Sequence, residues 1–97
     1  MPESSADGVF AISVAAAIVE MPIQNLRVYE SHGLVDPDRT PGGTRRYSRD
    51  DLVRLGRIRD LLAEGLNLAG VARVLHLEAV VERLEIENRA LRGRGRG

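Results

Sequence analysis

The sequence predicts a mainly α-helical fold in which two short helices and a small basic hairpin lead into a helical body, continued by a heptad-patterned helix. Three observations predict it. Pro22 splits two short helical patterns, a glycine- and arginine-rich stretch at 39–49 interrupts helical periodicity, and from Val74 onward apolar residues recur at alternating spacings of three and four.

The first nine residues are small, polar and unpatterned, and are expected to form a disordered leader. Ser13 is placed to N-cap a helix reaching about Glu20, with Val14, Ala17 and Ile18 as its inward stripe. Pro22 breaks any continuation and opens a second helix through Ser31, because proline is tolerated in a first helical turn. Leu26 and Tyr29, with Ile23, give that helix an apolar edge, and Gln24, Asn25, Arg27 and Glu30 occupy the remainder. Gly33 can end it in the left-handed conformation. Leu34-Val35 is expected to form a brief strand, and Thr44 to Tyr47 its hairpin partner across Pro41-Gly42-Gly43. Ser48 and Asp51 form a capping box for a third helix with the stripe Leu52, Leu55, Ile58, Leu61 and Leu62, ended by Gly65. Asn67 can cap a fourth helix bearing Leu68, Val71, Val74 and Leu75.

From Val74 the heptad places Val74, Val81 and Asn88 at a and Leu77, Leu84 and Leu91 at d, a composition that favours two strands. Such a narrow stripe, flanked by Glu and Arg, predicts homodimerisation through these six residues, with antiparallel pairing of the Leu77 to Leu91 helices. The closing Arg92-Gly93-Arg94-Gly95-Arg96-Gly97 reads as a disordered, low-complexity tail.

Composition narrows the function. The chain has 97 residues, enough for one modest core, and no cysteine, which excludes disulfide scaffolds, iron-sulfur clusters and thiol chemistry. His32 and His76 lack companions at metal-ligand spacing, so no metal site is expected. No nucleophile elbow, phosphate-binding loop or HExxH sequence occurs, and the reading is of a non-enzyme without a cofactor. No secretory signal or long apolar run is visible, which implies a cytoplasmic protein with no membrane association.

Net charge is zero, but its distribution is uneven. Every basic residue is arginine, and Arg39, Arg45, Arg46 and Arg49 cluster with no acid between them, whereas Glu78, Glu82, Glu85 and Glu87 gather later. Guanidinium forks suit phosphates and guanine edges. Gln24 and Asn25 at the start of an exposed helix can pair with adenine, and Arg27 lies about one turn on. A polar helix followed by a basic hairpin is the composition of a winged helix-turn-helix, with double-stranded DNA as partner. Arg45 and Arg46 are adjacent, so on a strand one is expected to meet phosphate and the other to brace the wing.

Three segments, LRVYESHGLV at Leu26 to Val35, RTPGGTRRYS at Arg39 to Ser48 and DLVRLGRIRDLLAEGLNLAGVARVL at Asp51 to Leu75, resemble the DNA-binding domain of the MerR family of bacterial regulators. The second segment and NLAGVARVL are most similar to its HspR-like branch. That resemblance implies a repressor of chaperone operons on inverted-repeat operators, with a DnaK-type chaperone or RNA polymerase as further partners. It implies that Arg27 and Tyr29 contact the DNA backbone, that the start of the second helix reads bases, and that Arg45, Arg46 and Tyr47 grip the flanking backbone. The expected organisation is a leader at 1–9, a winged helix-turn-helix at 10–76, a dimerisation helix at 77–91 and a tail at 92–97, with no effector domain. Two other readings stay open: a chaperone modulator of the same fold that binds protein, and a small excisionase-like factor, which would not need the heptad helix.

Overall fold

The computed structural model describes residues 9–96, so all but the last residue of the expected leader lies outside the described residues. Val9 itself is tied down, its N–H donating to the Tyr47 carbonyl at 2.9 Å. Chain order is β1 (Phe10–Ala11), α1 (Ile12–Val19), α2 (Ile23–Ser31), β2 (Asp38–Arg39), β3 (Arg45–Tyr47), α3 (Arg49–Ala63) and α4 (Leu68–Arg96). The mainly helical architecture with one small hairpin is the one the sequence predicts. The strands form an antiparallel sheet in the order β1-β3-β2, pairing Phe10 with Tyr47 and Arg39 with Arg45. Strand β1 carries no sequence signal of its own; two residues are too few for an alternation to show.

α1 begins one residue before the expected cap, with Ala11 at the N-cap and no side-chain cap bond. Its inward face is also rotated. Ala15, Ala16 and Val19 are buried, while Val14 and Ile18 remain about half exposed. Apart from Ser13 the helix ISVAAAIV is apolar all round, so periodicity cannot fix its phase, and the small Ala15 and Ala16 let it pack closely on α2 and α3. Glu20 then adopts a left-handed conformation (φ 57°), the only non-glycine residue with positive φ among those described, and Pro22 becomes the N-cap of α2 instead of its first turn.

Gly33 (φ 73°) closes α2 as expected. The Leu34 N–H reaches the Tyr29 carbonyl at 2.9 Å and the Gly33 N–H reaches Glu30 at 2.9 Å, a Schellman ending that turns Leu34 into the core. This turn explains why Leu34 and Val35, though buried, are not the expected strand: their backbone is spent on reversal, Arg54 donates to the Leu34 carbonyl, and pairing starts only at Asp38. At the hairpin tip Thr40 and Gly43 (φ 87°) hold the turn, the Gly43 N–H donating to the Thr40 carbonyl at 2.8 Å.

The capping box of α3 forms, with Asp51 N–H to Ser48 Oγ and Ser48 N–H to Asp51 Oδ2 both at 2.9 Å. Leu55, Ile58 and Leu61 join Leu26, Tyr29, Leu34, Tyr47, Val71 and others in one core. Asn67 Oδ1 accepts from Gly70 N–H at 2.8 Å, opening α4 as predicted. α4 does not stop there. It runs unbroken for 29 residues, across the expected 76/77 boundary, and the stretch expected as a disordered tail continues the helix to Arg96. Once a helix is nucleated each further residue adds a hydrogen bond, and Gly93 and Gly95, though poor helix formers, lie beyond a long stabilised stretch. Only the start of α4 packs on the body; Leu77, Val81, Leu84, Ile86 and Leu91 are each more than half exposed.

Candidate nucleic-acid interface

The helix α2 is anchored through Leu26 and Tyr29, which face the core. Its opposite side therefore projects outward, and Gln24 and Arg27 are exposed while Asn25 is half-buried. The Asn25 backbone N–H donates to the Pro22 carbonyl at 3.0 Å, fixing the first turn of the helix. Three hydrogen-bonding side chains thus sit at the leading end of a helix held rigidly from behind.

The hairpin β2–β3 lies alongside this helix, and one carboxylate joins the two. Glu30, near the end of α2, accepts from Arg39 on β2 at 2.9 Å and from Arg45 on β3. The Glu30 side chain is 17 % exposed and that of Arg45 31 %, whereas Arg39 is half exposed, so the pair with Arg45 is the better shielded of the two. Arg39 also donates to the Gly43 carbonyl at 3.4 Å, tying the strand to its own turn. Arg45 is paired with Glu30 and so tied to α2, while Arg46 is exposed and makes no ion pair among the described residues. Glu30 was legible only as a polar residue on α2. Its partners lie 9 and 15 residues away in sequence, a distance across which spacing carries no signal.

Two residues expected to contact the DNA backbone lie largely in the core. Tyr47 is fully buried, packed in the core between the sheet and the helices, and in this conformation offers a DNA backbone no surface. Its hydroxyl has no hydrogen-bond partner among the described residues, and burial, followed by the nearby Glu30 charge, pushes its pKa up. Tyr29 at 6 % exposure likewise gives its ring to the core and offers a duplex only a sliver of surface. Tyr47 follows Arg46 on a strand, where successive side chains point to opposite faces, and Tyr29 lies three residues after Leu26 on the same buried face of α2.

Sequence reading also missed several positioning arginines. Arg59 donates to the Val19 carbonyl at 2.9 Å, satisfying the end of α1, and Arg54 does the same for Leu34 after α2. Both lie on α3, which in this way fixes the two helices of the helix-turn-helix from beneath. Arg57 bonds Glu78 at 2.7 Å and so couples α3 to α4; this bond holds the Glu78 carboxyl below the usual range and raises Arg57. Along α4 the predicted seam residues Leu77, Val81, Leu84, Asn88 and Leu91 share an exposed face, with Val74 partly buried at its root. Among the described residues no group of His, Asp or Glu could hold a metal ion, and no helix is long and apolar enough to cross a membrane.

Comparison with known proteins places this arrangement. Residues 10–78 match the model of the MerR HTH family of regulatory proteins. The chain is 46 % identical over 78 residues, 79 % of its length, to a Streptomyces coelicolor protein named as heat shock protein HspR, covering 52 % of that protein. It is 41 % identical over 66 residues, 68 % of its length, to the transcriptional regulator GlnR of Bacillus anthracis, covering 51 % of it. The chain therefore spans about half the length of these curated relatives. A MerR family regulator from Bacillus cereus shares the fold with TM-score 0.66 at 26 % identity, covering 84 % of this chain and 66 % of that one. The regulator HiNmlR, which lacks the sensor domain and was solved on promoter DNA, shares it with TM-score 0.68 at 24 % identity over 82 % of this chain and 65 % of its own. With the family model spanning the helix-turn-helix, the hairpin and the root of α4, the chain belongs to the MerR family of helix-turn-helix regulatory proteins.

Proposed function

We propose that this chain is a sequence-specific DNA-binding transcriptional regulator, a homodimeric repressor of heat-shock and chaperone genes that acts on an inverted-repeat operator. The observation that carries the DNA-binding part is the Glu30 bridge, which makes α2 and the arginine-bearing hairpin one rigid unit with Gln24, Asn25, Arg27 and Arg46 on its outer side. Helix and wing then approach a duplex in a fixed mutual orientation, and the ordering cost of binding is reduced. Gln24 and Asn25 read base edges; Arg27 and Arg46 neutralise phosphates. Arg39 and Arg45 act mainly by holding the wing. The exposed apolar face of α4 supports pairing of two copies, which sets two such units on one side of the duplex. The likeness to HspR supports the choice of heat-shock genes, and a DnaK-type chaperone or RNA polymerase belongs to the same reading as partner. No catalysis is assigned to the chain, and its site of action is the cytoplasm.

Gel-shift titration over a range of salt tests this. Arg27→Ala and Arg46→Ala should each weaken binding to all sequences and flatten the salt dependence by about one counterion, whereas Gln24→Ala should alter operator preference. Unchanged affinity in both arginine variants would remove the basis of the reading. Pull-down of protein partners with no duplex shift would instead favour an adaptor that works by protein contact.

A further inference from the structure

The turn between α1 and α2 carries a residue that the fold by itself does not call for. Glu20 closes α1 in the left-handed region, at φ 57° and ψ 47°, where its Cβ crowds the backbone and a glycine would enter freely. The turn is pinned in that shape from both sides. The Glu20 and Met21 N–H groups donate back to the Ala17 and Ala16 carbonyls at 3.3 and 3.0 Å, and Arg59 donates to the Val19 carbonyl at 2.9 Å. On the α2 side, the Pro22 carbonyl accepts from the Asn25 N–H at 3.0 Å.

Nothing inside the chain offsets this strain. Glu20 is exposed, and among the described residues no hydrogen bond or ion pair holds its carboxylate. Its charge adds a second cost, because an unpaired carboxylate near the leading end of α2 repels a polyanionic duplex. Glu20 lies four residues before Gln24, so at most about 14 Å separates their backbones, on the order of four base-pair steps. One kind of group offsets both costs: an amino group that donates to a carboxylate. The major groove holds two, cytosine N4 and adenine N6. Adenine sets its donor beside the N7 acceptor, which repels a carboxylate, whereas cytosine shows its N4 donor with no acceptor of its own beside it.

We propose that Glu20 is a specificity-determining residue of the DNA interface: its carboxylate accepts a hydrogen bond from a cytosine N4 amino group, within about four base pairs of the base that Gln24 reads. This rests on the DNA-binding reading above and adds a third base-reading residue, opposite in charge to the arginines of the interface. At a C·G pair the carboxylate gains a charge-assisted hydrogen bond; elsewhere it meets acceptors and phosphates and opposes binding. Discrimination then comes from rejection as much as from attraction, and the strained turn holds the carboxylate where that rejection is felt.

Selection from a randomised duplex library, read by sequencing, tests this with the full chain and its Glu20→Gln and Glu20→Gly variants. The wild-type pool should contain a C·G pair that the Glu20→Gly pool leaves random while the other preferred positions stay. In the Glu20→Gln pool the same position should change from cytosine to adenine, since a glutamine amide pairs with adenine N6 and N7. Both variants should also bind a mixed-sequence duplex about two- to fivefold more tightly at low salt, with a smaller gain at high salt. Identical base preferences in all three pools would overturn the proposal. Glu20→Gly should unfold at a higher temperature than the wild type; a lower one would mean that the Glu20 side chain is held within its own chain, and would overturn it too. A wild-type chain that enriches no sequence at all would defeat the sequence-specific reading itself, and this proposal with it.

Discussion

The Glu30 carboxylate accepts from both strands of the hairpin, so its removal should change two properties in opposite directions. Glu30→Ala frees Arg39 and Arg45 for phosphate and should steepen the salt dependence of DNA binding by one to two counterions, on the order of one per freed guanidinium. It also unfastens the wing from α2, so preference for operator over random duplex should fall, and thermal unfolding should report a loss of about 1 kcal/mol. Tyr47 gives a contrasting test. Its buried hydroxyl lacks a partner among the described residues, and deleting such a group removes a desolvation cost. Tyr47→Phe should be neutral or stabilising by up to about 1 kcal/mol in denaturant titration, with DNA affinity unchanged. A clear drop in affinity would restore the tyrosine as a backbone contact.

Among elements, the pairing of α3 with α4 is the one with a pH dependence built in. Arg57 lowers the Glu78 carboxyl below its ordinary value of 4.5 in the folded chain. The bond therefore contributes fully above that value and is lost as pH falls through the lower, folded-state value. Acid titration followed by circular dichroism should show stability declining as pH falls below about 4.5, and Glu78→Gln should flatten that decline without abolishing the transition. How much of each element could be read beforehand follows from the range of the interactions that define it. The Ser48-Asp51 box, the turn at Gly33, the Asn67 cap and the heptad all lie within a few residues of sequence, and each was legible. The phase of α1 was not, since Val14, Ala16 and Ile18 are equally apolar and only packing on α2 and α3 separates them. Strand β1 exists because β3 is beside it, and the Glu30 bridge because a hairpin folds back over α2; both are tertiary facts. The interface was thus readable as a set of exposed polar residues on α2 and a basic hairpin, while the assignment of Arg45 and Tyr47 to support waited on coordinates.

For the whole molecule, the proposed pairing of two copies makes a direct test of the exposed apolar face on α4. Leu84 stands near the centre of that seam and more than half exposed, so a charge there should separate two copies while the head stays folded. Leu84→Asp should sediment as a monomer, retain the thermal transition of the body, and bind an inverted repeat at least about a hundredfold more weakly, because the gain from joining two sites is lost. Retained dimerisation would move the seam elsewhere. α4 begins in the head, where Val71 is wholly buried, and leaves it without a break. A strut of that kind has no joint to absorb torsion: over about 43 Å a tilt of only about 5° at the far end swings the near end by about 4 Å. Whatever holds the distal end would thereby work as a crank on the helix-turn-helix at the other, shifting it without touching it.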